Sequence, residues 1–184
     1  MGQSVKDYSF QDRLAMSTGI AANNEVAEIL VTCLPNINVV EKGQLSDDKR
    51  GVDYWAYRNG LSPLGVDCKI RELDPIQEYG SDDLALEIWS VIGKKVGWTA
   101  DLEKCCDYIL WFFVPTKRWV LIPFPMLQSV FLANKDTWLG LYRHARQSTD
   151  NGRWESECVF VPRLVIWRAI YERFGGDYKL SKGG

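Results

Sequence analysis

The residues of this chain with the clearest capacity for chemistry are two aspartates and a lysine in neighbouring apolar runs. Asp53 lies in the run 51–57, and Asp67 and Lys69 lie in the run 64–71. Because side chains alternate along a strand, Asp67 and Lys69 must point to the same face. Carboxylates bind hard divalent ions such as Mg²⁺, and an ammonium stabilises charge on a phosphate. The spacing therefore predicts a site for a metal ion and a phosphate.

A predicted β-hairpin brings the two aspartates together. Asn59-Gly60 between two apolar runs is a strong hairpin signal, and folding the chain about residue 60 brings Asp53 opposite Asp67 to within about one residue of register. Two carboxylates this close repel each other unless a cation lies between them. In phosphodiester hydrolysis that cation would polarise a phosphoryl oxygen and lower the pKa of a bound water. Lys69 would stabilise charge on the phosphate or orient that water.

The alternative interpretation of these residues is a hairpin with a polar, solvated outer face. The surrounding residues weigh against it, because most of them are apolar: Val52, Tyr54, Trp55, Ala56, Leu64, Val66 and Ile70. An ionisable group in a mostly buried strand needs a partner. The sequence context therefore favours a functional site at Asp53, Asp67 and Lys69.

An upstream helix offers a candidate third ligand. Residues 20–34 are predicted to form an amphipathic helix that ends before Pro35. Its buried stripe would comprise Ala22, Val26, Ile29, Leu30 and Cys33. Glu25 lies on the flank of that stripe and can point toward the hairpin, whereas Glu28 lies nearly opposite and is predicted to face solvent. Each glutamate taken alone is an ordinary helix-surface residue.

Together, Glu25 on a first helix, Asp53 on a strand and Asp67-x-Lys69 on the next strand resemble the PD-(D/E)xK, restriction-endonuclease-like nuclease superfamily in order and spacing. One departure is that Val52, rather than proline, precedes Asp53. The resemblance implies that Glu25, Asp53 and Asp67 bind Mg²⁺, for which Mn²⁺ would substitute. It also implies that Lys69 is the catalytic lysine.

The resemblance extends beyond the motif to small phage-type and restriction-type members. Apolar runs at 84–91 and 107–114, with Gly97-Trp98 between them, are similar to the strand, Gly-Trp turn and strand of such enzymes. It covers about residues 20–125. The implied fold is α/β (mixed α+β), a restriction-endonuclease-like core with a central mixed β-sheet flanked by helices.

Two further acidic positions are weaker candidates. Asp82-Asp83 is predicted to cap or precede the run that begins at Leu84, with a metal role left open. Glu87 lies inside the run 84–91, where periodicity fits both a helix and a buried strand. The resemblance favours a strand, and Glu87 is then a candidate for the edge of the site, with its role left open.

Length and composition indicate one soluble globular domain. The chain has 184 residues, of which 46% are hydrophobic and eight are Trp, enough to bury a real core. It has no signal-peptide start and no apolar run near the roughly 18 residues of a membrane span. We therefore expect a cytoplasmic protein without membrane contact. If the protein is phage-encoded, we expect it in the host cytoplasm. The absence of a CxxC pair and the single His144 argue against zinc and against His-dependent triads.

Charge is distributed unevenly about the net value of −2. Residues 1–115 carry 11 basic and 18 acidic side chains, whereas residues 116–174 carry 9 basic and 5 acidic. The C-terminal part therefore offers a candidate nucleic-acid surface. Eight of the nine basic residues would form this surface: Lys117, Arg118, Arg143, Arg146, Arg153, Arg163, Arg168 and Arg173. Solvated helix faces are the alternative explanation of most of these residues.

Turn signals and periodicity predict the remaining elements. Strands are predicted at 37–42, 51–57, 64–71, 84–91, 107–114, 119–123 and 154–161. Helices after the first are predicted at 99–106, from Pro125, at about 136–148, and from Pro162 to Gly175-Gly176. The chain is then a single nuclease-like domain, 1–184, with a core at about 20–125, a helical and basic part at 125–176, and a frayed tail at 177–184.

The sequence thus favours a Mg²⁺-dependent DNA phosphodiesterase, and an endonuclease in particular, with a homodimer left open. The alternative is a non-catalytic phage or mobile-element protein that binds nucleic acid or another protein on the same fold. The set of Glu25, Asp53, Asp67 and Lys69 favours the enzyme, and the acidic N-terminal half favours the binding protein. A purely structural interaction module would leave the clustered acids unexplained.

Overall fold

Two β-sheets form the frame of the described residues, 25–48, 50–148 and 154–175, in a computed structural model of the chain. The strands are β1 (Ile37–Lys42), β2 (Tyr54–Arg58), β3 (Leu61–Arg71), β4 (Asp83–Val91), β5 (Lys95–Val96), β6 (Tyr108–Phe113), β7 (Arg118–Pro123), β8 (His144–Ser148) and β9 (Glu155–Pro162). The helices are α1 (Glu25–Cys33), α2 (Leu45–Asp48), α3 (Pro75–Tyr79), α4 (Phe124–Leu141) and α5 (Arg163–Phe174). The fold is mixed α/β, as predicted.

The first sheet has the order β1-β2-β3-β6-β7 and carries the predicted hairpin. β2 and β3 pair antiparallel, with Tyr54 opposite Val66. Gly60 in the turn has a φ of 69°, a conformation that glycine adopts without steric cost. β6 runs parallel to β3, with Asp67 beside Ile109. These pairings place β3, which carries Asp67, at the centre of a mixed sheet.

The two faces of the first sheet have different covers. α1 covers one face through Val26 and Leu30, which pack with Val66. The other face packs against the second sheet, α4 and α5 in a larger core, to which β6 and β7 contribute Ile109, Trp111, Phe113, Val120 and Ile122. Because side chains alternate along β3, Asp67 and Lys69 lie on this second, inward face.

A second sheet, of order β5-β4-β9-β8, is absent from the sequence prediction, which expected one central sheet. β4 is the strand predicted at 84–91, but it pairs with the distant β9, with Leu86 opposite Val159. The C-terminal part that was predicted to be mainly helical thus contributes two strands to a sheet. Pairing between strands so far apart in the chain leaves no local signal.

Two predicted helices are wrong. Residues 99–106 form turns, and residues 136–148 divide between the end of α4 and the strand β8. α4 continues to Leu141 because it buries apolar residues at helical spacing: Leu127, Val130, Phe131 and Trp138. β8 pairs with β9 at the sheet edge, where Arg146 lies opposite Glu157. His144, predicted on a helix surface, is the first residue of this strand.

The other predicted elements agree closely with the structure. The strands at 37–42, 107–114, 119–123 and 154–161 are confirmed to within one residue at each end, and α5 begins directly after Pro162. The start of the 20–34 helix and the tail at 177–184 lie outside the described residues. Within the described ranges, no helix is both long and apolar enough to span a membrane.

A network of ion pairs joins the first sheet to α5. Asp74 is 1% exposed and accepts hydrogen bonds from Arg118 Nη2 at 2.7 Å and Nε at 2.9 Å. Arg118 also pairs with Asp82 at 2.9 Å, and Arg163 pairs with the same carboxylate at 2.5 Å. The hydrogen bonds from Arg118 outweigh burial and hold the pKa of Asp74 well below its usual range. Asp82 thus links β7 to α5.

Asp74→Asn tests this network. The substitution places an amide against the guanidinium donors of Arg118, so we expect the free energy of unfolding at pH 7 to fall by about 2–4 kcal/mol. Because the folded pKa of Asp74 is lowered, its stabilisation is present above the unfolded pKa of about 3.9 and is lost as the pH falls below it. The difference between native and variant should therefore shrink at pH 3. Urea unfolding measures both values, and an equal loss in the exposed control Glu72→Gln would contradict the assignment.

Candidate functional site

The structure brings Asp53, Asp67 and Lys69 together on the inward face of the first sheet. The backbone N–H of Asp53 donates to the carbonyl of Val66 at 2.9 Å, which extends the hairpin pairing and places Asp53 next to Asp67. Lys69 Nζ lies 2.7 Å from Asp67 Oδ2. Two carboxylates and one ammonium therefore share one patch.

Asp53 is a partly buried carboxyl group whose surroundings disfavour its charge. Its Oδ2 accepts a hydrogen bond of 2.7 Å from the backbone N–H of Cys68. Burial, followed by the charge of Asp67, raises the pKa of Asp53 to about 6. The Cys68 N–H and the charge of Lys69 oppose this rise. A cation beside Asp53 would therefore relieve an unfavourable charge.

Asp67 is 3% exposed, and a single oxygen carries both of its ion pairs. Lys69 Nζ at 2.7 Å and Lys104 Nζ at 2.5 Å both contact Oδ2. Burial would raise the pKa of Asp67, but the charges and hydrogen bonds of the two lysines outweigh it and hold the pKa below its usual value. Asp67 is therefore ionised at neutral pH.

Lys104 is the site residue that sequence analysis missed. It lies in the segment 99–106, for which the sequence predicts a helix, and this segment docks on the loop before Asp53. The N–H of Cys105 donates to the carbonyl of Arg50 at 3.0 Å. Lys104 Nζ donates to the carbonyl of Gly51 at 3.2 Å. In the sequence, the only sign that Lys104 belongs to the site is its position shortly before β6. The start of β6 lies beside Asp67, because β6 pairs in parallel with β3.

Lys69 is held between Asp67 and the ring of Trp98. Its Nζ lies 5.0 Å from the ring centroid, within the range of a cation–π contact. Burial would lower the pKa of Lys69, but the neighbouring Asp67 outweighs it and raises the pKa. Lys69 therefore stays protonated, and it can act on a phosphate through its charge but not as a base. Its side chain is 20% exposed, so it remains open to solvent.

Glu87 is connected to the site through one intervening residue, Trp98. Its Oε2 accepts hydrogen bonds from Ser90 Oγ at 2.7 Å and from the backbone N–H of Trp98 at 3.1 Å. Because the ring of Trp98 contacts Lys69, Glu87 fixes a neighbour of the site and does not itself join the carboxylate pair. Its element, β4, is a strand, as the resemblance implied.

The structure does not bring Glu25 to the site. Glu25 begins α1, which covers the opposite face of the sheet, and its carboxylate pairs with Lys117 Nζ at 2.7 Å. Helical periodicity predicts which side of the helix is buried but not which sheet face the helix covers. Glu28 is exposed, as predicted. The prediction that Glu25 is a third metal ligand beside Asp53 and Asp67 is therefore wrong.

The basic residues of the C-terminal part are largely engaged within the chain. Arg143 and Arg146, predicted on a helix, lie at β8, where the guanidinium of Arg143 stacks 3.9 Å from the centroid of the Phe160 ring. The ion pairs are Lys117 with Glu25, Arg118 with Asp74 and Asp82, Arg146 with Glu157, and Arg163 with Asp82. Arg153 lies outside the described residues. The pair of Lys117 with Glu25 is exposed and contributes little energy, so Lys117 can exchange it for a phosphate contact, whereas the pair of Arg118 with the buried Asp74 holds its arginine in the fold.

Asp53 and Asp67 fit a hard divalent ion that completes its shell with water and phosphate. Mg²⁺ commonly uses one or two protein carboxylates in this way. Across residues 25–48, 50–148 and 154–175, no group of three or more His, Cys, Asp or Glu side chains could hold a metal ion. Any ion bound here would therefore take two carboxylate side chains from this part of the chain.

Comparisons of the chain with protein-family models, with curated proteins and with solved structures found no match. A function for the chain must therefore be argued from the geometry and charge of the site itself.

Asp53→Asn tests the cost of charging Asp53. Because the folded pKa of about 6 lies above the unfolded value near 3.9, ionisation of Asp53 destabilises the fold, and the loss grows as the pH rises from about 4 to about 6. Asparagine keeps the shape of the protonated acid. We therefore expect the variant to be more stable than native protein at pH 7.5 in EDTA, by at most about 3 kcal/mol, and equally stable at pH 3.5.

Urea unfolding at the two pH values measures this difference. Asp48→Asn is the matched control, because it removes the same charge from an exposed position. An Asp53→Asn variant that is less stable than native protein at pH 7.5 would show that the Asp53 charge is not disfavoured.

Proposed function

We propose that the chain is a Mg²⁺-dependent nuclease that hydrolyses phosphodiester bonds in DNA, and an endonuclease in particular. The observation that carries the proposal is the set of Asp53, which directly precedes β2, and Asp67 and Lys69 on the adjacent strand β3, with both carboxylates partly or fully buried. Adjacent buried carboxylates favour a bound cation, and a lysine that stays charged beside them suits a phosphate.

The arrangement of elements also supports the proposal. A first helix is followed by three antiparallel strands and then by β6, which runs parallel to β3. This order is compatible with a restriction-endonuclease-like core, with the α3, β4 and β5 segment lying between β3 and β6. Asp67 and Lys69 lie on β3, the central strand, which pairs with a neighbour on each side.

The residues of the site would have distinct roles. Asp53 and Asp67 would hold one Mg²⁺, which when bound polarises a phosphoryl oxygen and lowers the pKa of its water. The N–H of Cys68 orients Asp53 through a hydrogen bond. Lys69 would contact the phosphate, because it stays protonated and is more exposed than Lys104. It would stabilise the negative charge that grows on the phosphate as the water attacks.

A second candidate function is a non-catalytic protein that binds nucleic acid or another protein on the same fold. The observation that favours it is that the cluster is already neutralised within the chain, since Lys69 and Lys104 both contact Asp67 Oδ2. A buried, self-neutralised cluster can serve structure alone. The two candidates differ in metal-dependent cleavage.

A cleavage assay on supercoiled plasmid, linear duplex and single-stranded DNA separates these candidates. We expect native protein to cut at least one substrate with Mg²⁺ or Mn²⁺ and none in EDTA. Asp53→Asn should stay folded yet cut at least roughly a hundredfold more slowly, because a metal ligand loses its charge. Asp67→Asn is a poorer test, because it leaves the buried Lys104 beside a neutral amide and should cost stability. No cleavage of any substrate by native protein would favour the binding protein.

Variants of Lys69 in the same assay test the lysine. Lys69→Met keeps the apolar stem beside Trp98 but removes the charge, so cleavage should be at least roughly a hundredfold slower. Lys69→Arg should rescue only part of the rate, because a planar guanidinium replaces a compact ammonium. Lys42→Met, which removes the same charge from an exposed position, is the control. Full activity of a folded Lys69→Met protein would remove the lysine from the mechanism.

A further inference from the structure

We propose that Lys104 is a built-in cation of this site: its ammonium occupies the place at Asp67 Oδ2 that a second divalent ion would take, so the site binds one divalent ion. This inference rests on the proposed metal site and concerns how many ions it holds and how tightly.

Lys104 is a fixed and buried charge. Its side chain is 5% exposed, and its Nζ contacts Asp67 Oδ2 at 2.5 Å and the carbonyl of Gly51 at 3.2 Å. The same ammonium lies 5.7 Å from the centroid of the Phe124 ring. A buried ammonium without partners is costly, so these contacts keep Lys104 in place. The Lys69 side chain, by contrast, is 20% exposed, so a phosphate can approach its ammonium from solvent.

The backbone at Gly51 is shaped around Lys104. Gly51 has a φ of 78°, which disfavours residues with a side chain. A Cβ at this position would overlap Lys104 Nζ and come within 2.9 Å of Lys104 Cγ. The absence of a side chain at Gly51 therefore allows both the positive φ of the turn and the close approach of Lys104. This is an observation independent of the ion pair, and it points to a position that the fold reserves for the ammonium.

Formal charge favours one ion over two. Asp53 and Asp67 carry two negative charges, and a phosphodiester under attack carries two more in its transition state. One Mg²⁺ together with Lys69 and Lys104 supplies four positive charges, which balances them. A second Mg²⁺ would leave an excess of two positive charges in a largely buried site, an arrangement that is costly. Two-metal sites also hold their ions about 3.5–4 Å apart, a space that Lys104 already fills beside Asp67.

Titration of metal-free protein with Mn²⁺ by calorimetry, with the ion count checked by electron paramagnetic resonance, tests the inference. Native protein should bind one Mn²⁺. Lys104→Gln keeps a donor for the Gly51 carbonyl but removes the charge, so it should bind its first Mn²⁺ at least about tenfold more tightly, since a competing unit charge is gone. Lys42→Met, with the same change in net charge at an exposed position, should match native protein within about twofold.

A pair of glycine variants tests the same point without removing the lysine. Gly51→Ala should displace Lys104 and tighten Mn²⁺ binding, whereas Gly60→Ala should not. Both positions have a positive φ, 78° and 69°, but nothing lies within 4 Å of a Cβ at Gly60. The two variants therefore share backbone strain and differ in the clash with Lys104.

Failure of this inference is distinguishable from failure of the proposed nuclease. The role of Lys104 is overturned, even if DNA is cut, when native protein binds two Mn²⁺ ions. It is also overturned when Lys104→Gln and Gly51→Ala bind Mn²⁺ as tightly as native protein or more weakly. One Mn²⁺ on native protein with the expected tightening supports it even if no DNA is cut. Absence of Mn²⁺ binding by native protein and by both variants overturns the metal site and the role of Lys104 together.

Discussion

The ionised carboxylate of Asp67 on the inward face of β3 is the constraint around which the site is arranged. A carboxylate this buried stays charged only with close partners, and two ammonium groups share its Oδ2. One comes from the same strand, and the other comes from a distant segment that docks where Gly51 leaves room. Among the described residues no ammonium forms an ion pair with Asp53 beside it, so the pKa values of the two aspartates move in opposite directions. This asymmetry leaves Asp53 as the group that a divalent ion would satisfy.

The hairpin, and its register to within about one residue, could be predicted from sequence because both depend on local rules. Asn59-Gly60 sets the turn, and the two-residue period of a strand places Lys69 on the same face as Asp67. The alignment of Asp53 with Asp67 also needs a register shift between Ala56 and Arg58, because the pairing of Arg58 with Leu61 beside the turn would by itself place Asp53 opposite Val66. The strands β1 and β7 and the helix after Pro162 were equally predictable, because proline and short apolar runs mark their limits. The positions of Asp53, Asp67 and Lys69 in the hairpin could therefore be predicted from the sequence.

The rest depends on contacts between distant segments. Helical periodicity predicts that Glu25 lies beside the apolar stripe of α1. Tertiary packing determines which sheet face α1 covers, and on that face Glu25 pairs with Lys117. Lys104 lies in turns, which have no period, and its role appears only when those turns meet Gly51. The second sheet forms by pairing of β4 with β9, and β8 is a short polar edge strand without the alternation that marks half-buried strands.

Carbon-13 NMR titration of the aspartate carboxyl groups, with and without Mg²⁺, measures the charge relation between Asp53 and Asp67 most directly. Without metal, Asp53 should titrate near pH 6, and Asp67 should stay ionised to a pH below its ordinary range. Saturating Mg²⁺ should lower the midpoint of Asp53 by more than about one pH unit, because a shared cation favours both charged forms. An Asp53 midpoint near pH 4 in the absence of metal, or one that Mg²⁺ does not move, would contradict a cation site built on this carboxylate pair.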